Sequence, residues 1–539
     1  MTHARPLTRL DTHEVFNQPP PLLDINLYAG DRALGLGIRA AGAQSHTERL
    51  TALGARVGSA EVQDWGVEAN RVLPVLDSFD RYGHRVDEVK FHPAYHRLMD
   101  LGLGSGFAAV AWNGEPAGHA AHAAILYLMT QADAGTSCPM TMTYAAVPAL
   151  MAQAAVADEW VPRIRSARYD PAFRPAAEKA GVTIGMAMTE KQGGSDVRAN
   201  TTRAVPTGLD GWYALTGHKW FCSAPMCDAF LTLAYAEGGL TCFLVPRWLP
   251  DGERNAGFRV MRLKDKLGDK SNASSEIEYH GALAQRVGDE GRGVATIIRM
   301  VQLTRLDCVM GSAGQMRAAL AQALWHTAHR TAFQKRLIDQ PAMSAVLADL
   351  ALESEAATLL GLRLAAAIDA GDPLARLLTP LAKYWVCKRA PGMVYEAMEA
   401  HGGAGYVEAG PMPRLFRQSP LNAIWEGSGN VIALDVLRAL GREADSVEAV
   451  QHWLLAQRGR NALYDAWVAG IDLAKANEAT ARLMVERAAL AAQAAVLLEW
   501  DSPLADAFCT LRLGERGMAY GAFDAQVDCA GIIQRAMPG

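Results

Sequence analysis

The pattern of hydrophobic and polar positions divides the chain into blocks of different periodicity. Over residues 31–181 apolar side chains recur at helical spacing, as in the stretch 120–129, which predicts a helical domain. Near residue 182 the pattern changes to short runs of β-branched and aromatic residues between turn residues, which predict a small barrel or sandwich. Helical spacing returns over residues 293–440. The predicted order is helices, strands and helices.

Two further segments flank these blocks. Residues 16–21 end in three prolines and cannot form a regular helix, because proline fixes φ and lacks a donor. This arm is expected to drape over a neighbouring surface. Residues 441–539 return to helical spacing. The four predicted parts are an arm with a helical domain at 1–181, a β-barrel domain at 182–292, a helical bundle at 293–440 and an appended helical domain at 441–539.

Composition narrows the class of protein. A chain of 539 residues with 50% hydrophobic content exceeds one compact core, so several packed domains are expected. Its 52 basic and 57 acidic residues give no overall positive field for nucleic acid. The eight cysteines lack C-x-x-C and zinc-finger spacing, which indicates reduced thiols in a cytoplasmic protein without a structural metal. Since no signal peptide and no apolar run of about 18 residues is found, no membrane span is expected.

The strongest local signal is the segment MTEKQGGSD at 188–196. A predicted strand runs there into a loop whose paired glycines let backbone N–H groups approach a ligand closely. Hydroxyl groups at Thr189 and Ser195 add donors without bulk. The loop suits a flavin or phosphate oxygen, and a plain strand-to-turn connection is an equally good interpretation.

A tryptophan follows in the segment GHKWFCS at 217–223. The predicted strand would place the Trp220 indole beside small polar groups, where a planar ring system could stack. For an isolated tryptophan, a place in the core at a strand end is the more common alternative. The residues alone leave both interpretations open.

A carboxylate stands at Glu426 within the segment IWEGSGN at 424–430. Burial among the apolar neighbours would raise the pKa of Glu426 towards neutrality, as a general base requires. The alternative is a glutamate that caps the next helix through Ser428 and Asn430. Glycines on both sides of Ser428 favour the first interpretation and leave the second open.

Two more segments could approach a phosphate group. Three glycines within residues 399–406 permit a close backbone approach, although the same glycines could end a helix. Arg330, with Phe333 after it, offers a guanidinium for a pyrophosphate, although most single arginines on helices are solvated. A partial dinucleotide fingerprint at 35–40 has no preceding strand and is discarded.

Taken together and in this order, these five segments resemble the acyl-CoA dehydrogenase family. Residues 12–19 (THEVFNQP), 188–197, 263–268 (LKDKLG) and 425–430 look like its AidB-like branch, which is associated with the bacterial adaptive response to DNA alkylation. The resemblance extends over residues 12–440. For the residues beyond them it rests on their position in the chain and their helical character.

The resemblance implies an α+β multidomain fold, FAD, a homotetramer built as a dimer of dimers, and α,β-dehydrogenation of acyl-CoA thioesters. Glu426 falls on the family's catalytic glutamate, while Thr304 occupies the alternative base position beside Arg305. Ser195 and Arg305 would contact the substrate. The implied FAD contacts are Met186, Met188, Thr189, Gly194, Ser195, Trp220, Phe221, Cys222, Ser223, Arg330, Phe333, Gly402, Gly403, Ile424, Gly427, Ser428 and Asn430.

Three positions depart from the family pattern. Glu399 replaces the usual glutamine before the glycine pair, Gln334 replaces the glycine after Phe333, and Cys222 replaces a threonine. The contacts with FAD are therefore expected to differ in detail from those of the family.

The same resemblance carries an alternative function: a flavoprotein that binds double-stranded DNA and protects it from alkylation, with weak dehydrogenase activity. The natural place for such binding is the segment 441–539, which has nine basic and thirteen acidic residues. This acidic balance argues against a DNA-binding domain with broad positive potential. The sequence predicts weak, salt-sensitive DNA binding at most.

Overall fold

The structure is a computed structural model that describes residues 7–472, 475–515, 517–524 and 526–539. The helices of its first layer are α1 (Arg32–Ala40), α2 (Thr47–Val57), α3 (Ala60–Arg71), α4 (Pro93–Gly104), α5 (Gly118–Thr130), α6 (Ser137–Leu150) and α7 (Ala154–Ile164). Almost every residue of α5 and α6 is buried, because both helices are apolar on all sides. The side chain of Asp31 caps α1 by accepting a hydrogen bond from the Leu34 amide.

A β-hairpin interrupts this helical layer, and the helical spacing over residues 31–181 did not predict it. Strand β1 (Val75–Phe79) pairs antiparallel with β2 (Arg85–Lys90). The Asp87 carboxylate accepts a hydrogen bond from the Val260 amide at 3.2 Å. This contact with the Val260 amide stabilises the hairpin. The periodicity of the local sequence does not reveal a contact with a residue so far away along the chain.

The middle block is a barrel, as predicted. Its strands are β3 (Ile184–Ala187), β4 (Arg203–Pro206), β5 (Trp212–Ser223), β6 (Ala229–Ala236), β7 (Gly239–Pro246), β8 (Phe258–Leu263) and β9 (Ser274–Val287). They pair in the order β3-β6-β4-β5-β9-β7, an additional β6–β7 pairing closes the sheet, and β8 adds to β9. The long β5–β9 ladder runs to the pair Ser223 and Ser274, which places Trp220 near one end of the barrel.

Helices return after the barrel, which confirms the predicted fold class. They are α8 (Gly293–His329), α9 (Pro341–Asp369), α10 (Leu374–Glu399), α11 (Met412–Gln418) and α12 (Gly429–Arg442), with a small hairpin of β10 (Thr331–Ala332) and β11 (Lys335–Arg336) after α8. Helix α8 packs against α5, α6, α9 and α10. The N-terminal arm lies over its end, where Trp325 Nε1 donates to the Pro20 carbonyl at 2.7 Å.

The last segment packs onto the bundle through buried charges. It contains α13 (Ala444–Ala456), α14 (Ala462–Ala469), α15 (Ala481–Glu499), α16 (Ala505–Leu513) and α17 (Cys529–Ala536). Arg512 Nη2 lies 3.1 Å from Glu353 Oε2, and Arg535 binds both oxygens of Glu355 at 2.8 and 3.0 Å. Both glutamates are buried on α9, where a carboxylate requires a partner. The hydrophobic core is continuous across the blocks, so the four-domain division stays a prediction.

We expect Arg535→Met to lower the free energy of unfolding by about 3 kcal/mol, because it removes the guanidinium from the buried Glu355 carboxylate. Arg460→Met is the matched control, since its ion pair with Asp501 is exposed and contributes less than about 1 kcal/mol. Urea unfolding compares the two variants. Equal losses would contradict a role of the buried pair in docking the last segment.

Candidate active site

The predicted glycine loop is tied to the barrel by a buried ion pair. Lys219 Nζ lies 2.9 Å from Glu190 Oε1, and both side chains are fully buried. Thr202 donates to the same oxygen from its hydroxyl group at 2.6 Å, and the Thr201 amide donates to the other at 2.6 Å. Burial alone would raise the pKa of Glu190, but the Thr202 hydroxyl and the Lys219 ammonium lower it to about 2. The start of the loop is therefore held in one place.

This anchoring brings the loop and the tryptophan segment together. The Trp220 amide donates to the Thr189 carbonyl at 2.8 Å. A Cβ atom on Gly194 would lie 2.3 Å from Thr189 Oγ1, so only glycine fits there. Ser195 next to it is exposed. Two motifs separated in sequence thus form one surface at the end of the barrel.

The Trp220 indole is half-buried and faces a cation. Lys264 Nζ lies 3.2 Å from the centre of its ring and 2.7 Å from Glu276 Oε1. Phe221 is half-exposed beside it, whereas the Cys222 side chain is fully buried, and burial raises the pKa of its thiol. Cys222 can therefore meet a ligand only through its main chain.

The turn that carries Glu426 is held by two cations from other helices. Glu426 has a left-handed φ of 56°, an uncommon conformation for a non-glycine residue. Lys383 Nζ contacts the carbonyl oxygens of Trp425 at 2.8 Å and Gly427 at 2.5 Å. Arg305 Nε donates to the Glu426 carbonyl at 3.1 Å. These contacts offset the local strain and fix the direction of the Glu426 side chain.

The Glu426 carboxylate contacts the residue at the alternative base position. Thr304 Oγ1 donates to Glu426 Oε2 at 2.8 Å. Burial raises the pKa of Glu426, and the Thr304 hydroxyl, Arg305 and Lys383 oppose the rise without cancelling it. Ser428 begins α12 without a side-chain capping bond. The geometry therefore favours a base over the capping interpretation.

Arg305 is itself held by α12. Its Nη1 lies 2.6 Å from Asp435 Oδ2, and Arg376 binds the other Asp435 oxygen at 3.0 Å. Burial would raise the pKa of Asp435, but Arg305 and Arg376 lower it. Arg305 thus supports the turn that carries Glu426. The contact between Arg305 and a substrate stays a prediction from the sequence.

A second predicted surface lies at the far end of α8. Phe333 and Gln334 form the turn between β10 and β11 with φ values of 51° and 65°, and Phe333 is 92% exposed. The rings of His326 and His401 lie 4.5 Å apart, which brings the end of α8 to the turn at Gly402 and Gly403. A Cβ atom at either glycine would meet no atom within 4 Å, so this turn borders open space.

The other predicted residues lie at the rims of these surfaces. Ser223 Oγ contacts Ser274 Oγ at 3.1 Å, and Ile424 is 63% exposed. The structure groups the predicted residues into three clusters. The first lies at the loop and β5 and contains Met186, Met188, Thr189, Gly194, Ser195, Trp220 and Phe221. The second lies at the α12 turn and contains Ile424, Glu426, Gly427, Ser428 and Asn430, and the third lies at the end of α8 and contains Arg330, Phe333, Gly402 and Gly403.

Sequence reasoning missed Lys383, Asp435 and Lys264. A lysine within the apolar stretch of α10 was the available signal for Lys383, because a charge at a core position needs partners. In the part of the chain that the structure describes, no group of His, Cys, Asp and Glu could hold a metal ion. Within the same residues, no helix combines the length and apolar character needed to cross a membrane.

Comparison with protein families gives three matches along the chain. Residues 17–171 match the adaptive response protein AidB N-terminal domain. Residues 185–282 match the acyl-CoA dehydrogenase middle domain, and residues 291–441 match the acyl-CoA dehydrogenase C-terminal domain. The matched segments follow the observed order of helices, barrel and helices.

Two curated relatives and one solved structure extend these matches. The "Putative acyl-CoA dehydrogenase AidB" of Escherichia coli (strain K12) is 44% identical over 517 residues, which span 94% of this chain and 95% of the relative. Acyl-CoA dehydrogenase family member 11 of Caenorhabditis elegans is 35% identical over 79% of this chain and 73% of its own. The crystal structure of C. elegans ACDH-11 in complex with C11-CoA matches this chain with a TM-score of 0.84 and 27% identity. The match covers 97% of this chain and 96% of the C. elegans chain.

The ion pair below the glycine loop predicts a pH effect. The pKa of Glu190 is about 2 in the folded protein, below its ordinary value of 4.5, so the pair stabilises the fold above that value and loses this effect as pH falls towards 2. We expect the double variant Glu190→Gln/Lys219→Met to fold, because both charges leave together, and to show a smaller fall in the thermal unfolding midpoint on acidification.

The exposed pair Arg336 and Asp339 supplies the control for this measurement. Arg336→Met/Asp339→Asn should keep the acid sensitivity of the unaltered protein. A Glu190→Gln/Lys219→Met protein with the original acid profile would contradict the assignment.

Proposed function

The chain belongs to the acyl-CoA dehydrogenase family, and we propose that it dehydrogenates an acyl-CoA thioester at the α,β-carbon bond with Glu426 as the base. Family membership confirms the predicted class, an oxidoreductase acting on CH–CH groups, and FAD as the cofactor. The observation that carries the finer assignment is the Glu426 carboxylate, which has a raised pKa and stands on a turn held by Lys383 and Arg305.

The chemistry of the exposed residues fits a flavin dinucleotide. Gly402 and Gly403 border open space, so backbone N–H groups there can approach a bulky ligand. Phe221 at the end of the barrel and Ile424 at the α12 turn each expose apolar surface, as stacking against a ring system requires. The individual FAD contacts predicted from the sequence are part of this proposal. When bound, FAD accepts a hydride from the β-carbon of the substrate.

The proposed task of Glu426 is to remove the α-proton of the thioester. A carboxylate with a raised pKa holds a proton more strongly, so it is a better base when deprotonated at working pH. Thr304 donates to one carboxylate oxygen and leaves the other free to face a substrate. Lys383 and Arg305 keep the turn from rearranging as the charge on Glu426 changes.

One relative supports an acyl-CoA ligand, and the exposed apolar surface of this chain supports an oligomer. The C. elegans structure contains C11-CoA, which supports a fatty acyl-CoA as the substrate class for this chain. Phe333, Tyr406 and Val407 are 92%, 82% and 56% exposed, and apolar surface of this kind is covered in oligomers. We infer the homotetramer predicted from the sequence, built as a dimer of dimers, in a cytoplasmic protein.

DNA protection is the second candidate, suggested by the match of residues 17–171 to the adaptive response protein AidB N-terminal domain. Two exposed arginines near the last segment have acidic partners: Arg438 contacts Asp435 at 3.4 Å, and Arg460 pairs with Asp501. The acidic balance of residues 441–539 gives no broad positive potential for phosphate groups, so we favour weak and salt-sensitive binding to double-stranded DNA.

The base assignment is tested by Glu426→Gln. The variant should retain bound FAD and its oxidised absorption spectrum, while anaerobic flavin reduction by a panel of acyl-CoAs slows by at least about 1000-fold. Glu61→Gln is the control, because this carboxylate is exposed on α3 and pairs with Arg56, away from the turn. Flavin reduction at the original rate in Glu426→Gln would place the base elsewhere.

The contact between Thr304 and Glu426 predicts the direction of a pH shift. Since the Thr304 hydroxyl lowers the pKa of Glu426, Thr304→Val should raise that pKa. The base acts when deprotonated, so the acidic limb of the flavin reduction rate should move to higher pH. Stopped-flow measurement over a pH series checks this. A limb that stays in place or moves to lower pH would show that Thr304 does not act on the base.

A further inference from the structure

The N-terminal arm makes a compact set of hydrogen bonds with the hairpin that follows α8. Asn17 Nδ2 donates to the Thr331 carbonyl at 2.9 Å. Asn17 Oδ1 accepts from the Thr331 amide at 2.8 Å and from its hydroxyl at 2.9 Å. One carboxamide therefore pairs with both main-chain polar groups of Thr331, as a neighbouring strand would do.

The main chain of Asn17 reaches the neighbouring arginine. Asn17 has a left-handed φ of 57°, which asparagine adopts more readily than most residues. Its carbonyl accepts from Arg330 Nη1 at 2.7 Å, and Gln18 Oε1 lies 3.4 Å from the same nitrogen. A single residue of the arm thus fixes both the Arg330 guanidinium and the base of the β10–β11 hairpin.

The arm is held in register by a second contact. The Pro20 carbonyl accepts from Trp325 Nε1 at 2.7 Å, five residues before Arg330. Prolines at 19–21 restrict the conformations open to this stretch, which lowers the entropy lost when Asn17 binds Thr331.

We propose that Asn17 is a positioning residue for cofactor binding, which orients Arg330 and the Phe333 hairpin towards the adenosine diphosphate part of FAD. The inference rests on the proposed function, in which Arg330 and Phe333 contact FAD. Phe333 is 92% exposed, so the position of the hairpin tip depends on its base, where Asn17 binds. An arginine oriented beforehand loses less conformational entropy on binding a diphosphate, which strengthens the interaction.

The test is the rate of FAD release from the holoprotein, followed by the rise of flavin fluorescence after dilution. Asn17→Gly keeps the left-handed backbone accessible but removes the carboxamide. We expect FAD release to accelerate by about tenfold, the factor that corresponds to one or two lost hydrogen bonds. An unchanged release rate would overturn the inference.

Asp24→Gly is the matched control on the same arm. Asp24 also has a φ of 57°, and its carboxylate accepts from the Ala60 amide at 2.9 Å, away from the hairpin. The release rate of Asp24→Gly should stay within about twofold of the original. An equal acceleration in Asp24→Gly would mean that the arm acts through general stability, and would overturn the role of Asn17.

A variant cycle separates positioning from simple structural support. If Asn17 acts through the two residues that it positions, Asn17→Gly should have little further effect on FAD release in an Arg330→Ala/Phe333→Ala background, because both residues are already removed there. A full additional effect of Asn17→Gly in that background would overturn the inference. A folded, unaltered protein that binds no FAD would instead remove the proposed function and this inference together, so the two failures are distinguishable.

Discussion

Lys383 is almost completely buried in α10, and its ammonium group has carbonyl oxygens of the Glu426 turn as partners. A buried cation without such partners would cost several kcal/mol, so the helix and the turn are coupled by electrostatics as well as by packing. Arg305 adds the same coupling from α8 and is held in turn by Asp435 on α12. Three helices therefore converge on one short segment of main chain.

The same constraint recurs where the blocks of the fold meet. Glu190 and Lys219 tie the glycine loop to the barrel, and the glutamates of α9 bind arginines of the last segment. Such pairs add little stability compared with apolar residues of similar size, but they penalise any arrangement that separates the partners.

Local pattern predicted much of the fold. Helical spacing and β-branched runs indicated the order of helices, barrel and helices, because these periodicities report which faces are buried. The hairpin of β1 and β2 was missed, because its Asp87 partner, the Val260 amide, lies in the barrel. The turn residue Gln334 could be noticed as a departure from the family, but its left-handed φ required the structure.

The site was predicted as separate motifs rather than as an arrangement. The sequence could not show that Trp220 and Thr189 share a hydrogen bond, because the barrel register decides which positions meet. Lys383 was missed for another reason: lysines on helices are usually solvated, and the apolar stretch of α10 around it is a weak sign that this one is buried.

The burial of Lys383 also bears on chemical damage. An enzyme with the proposed thioester substrate would work among acylating agents, and exposed lysine amines are their usual targets. Acylation of Lys383 would replace its positive charge by a neutral amide and release the main chain around Glu426. With 1% of its surface exposed, this amine is shielded from reagents in solution by the same packing that positions it.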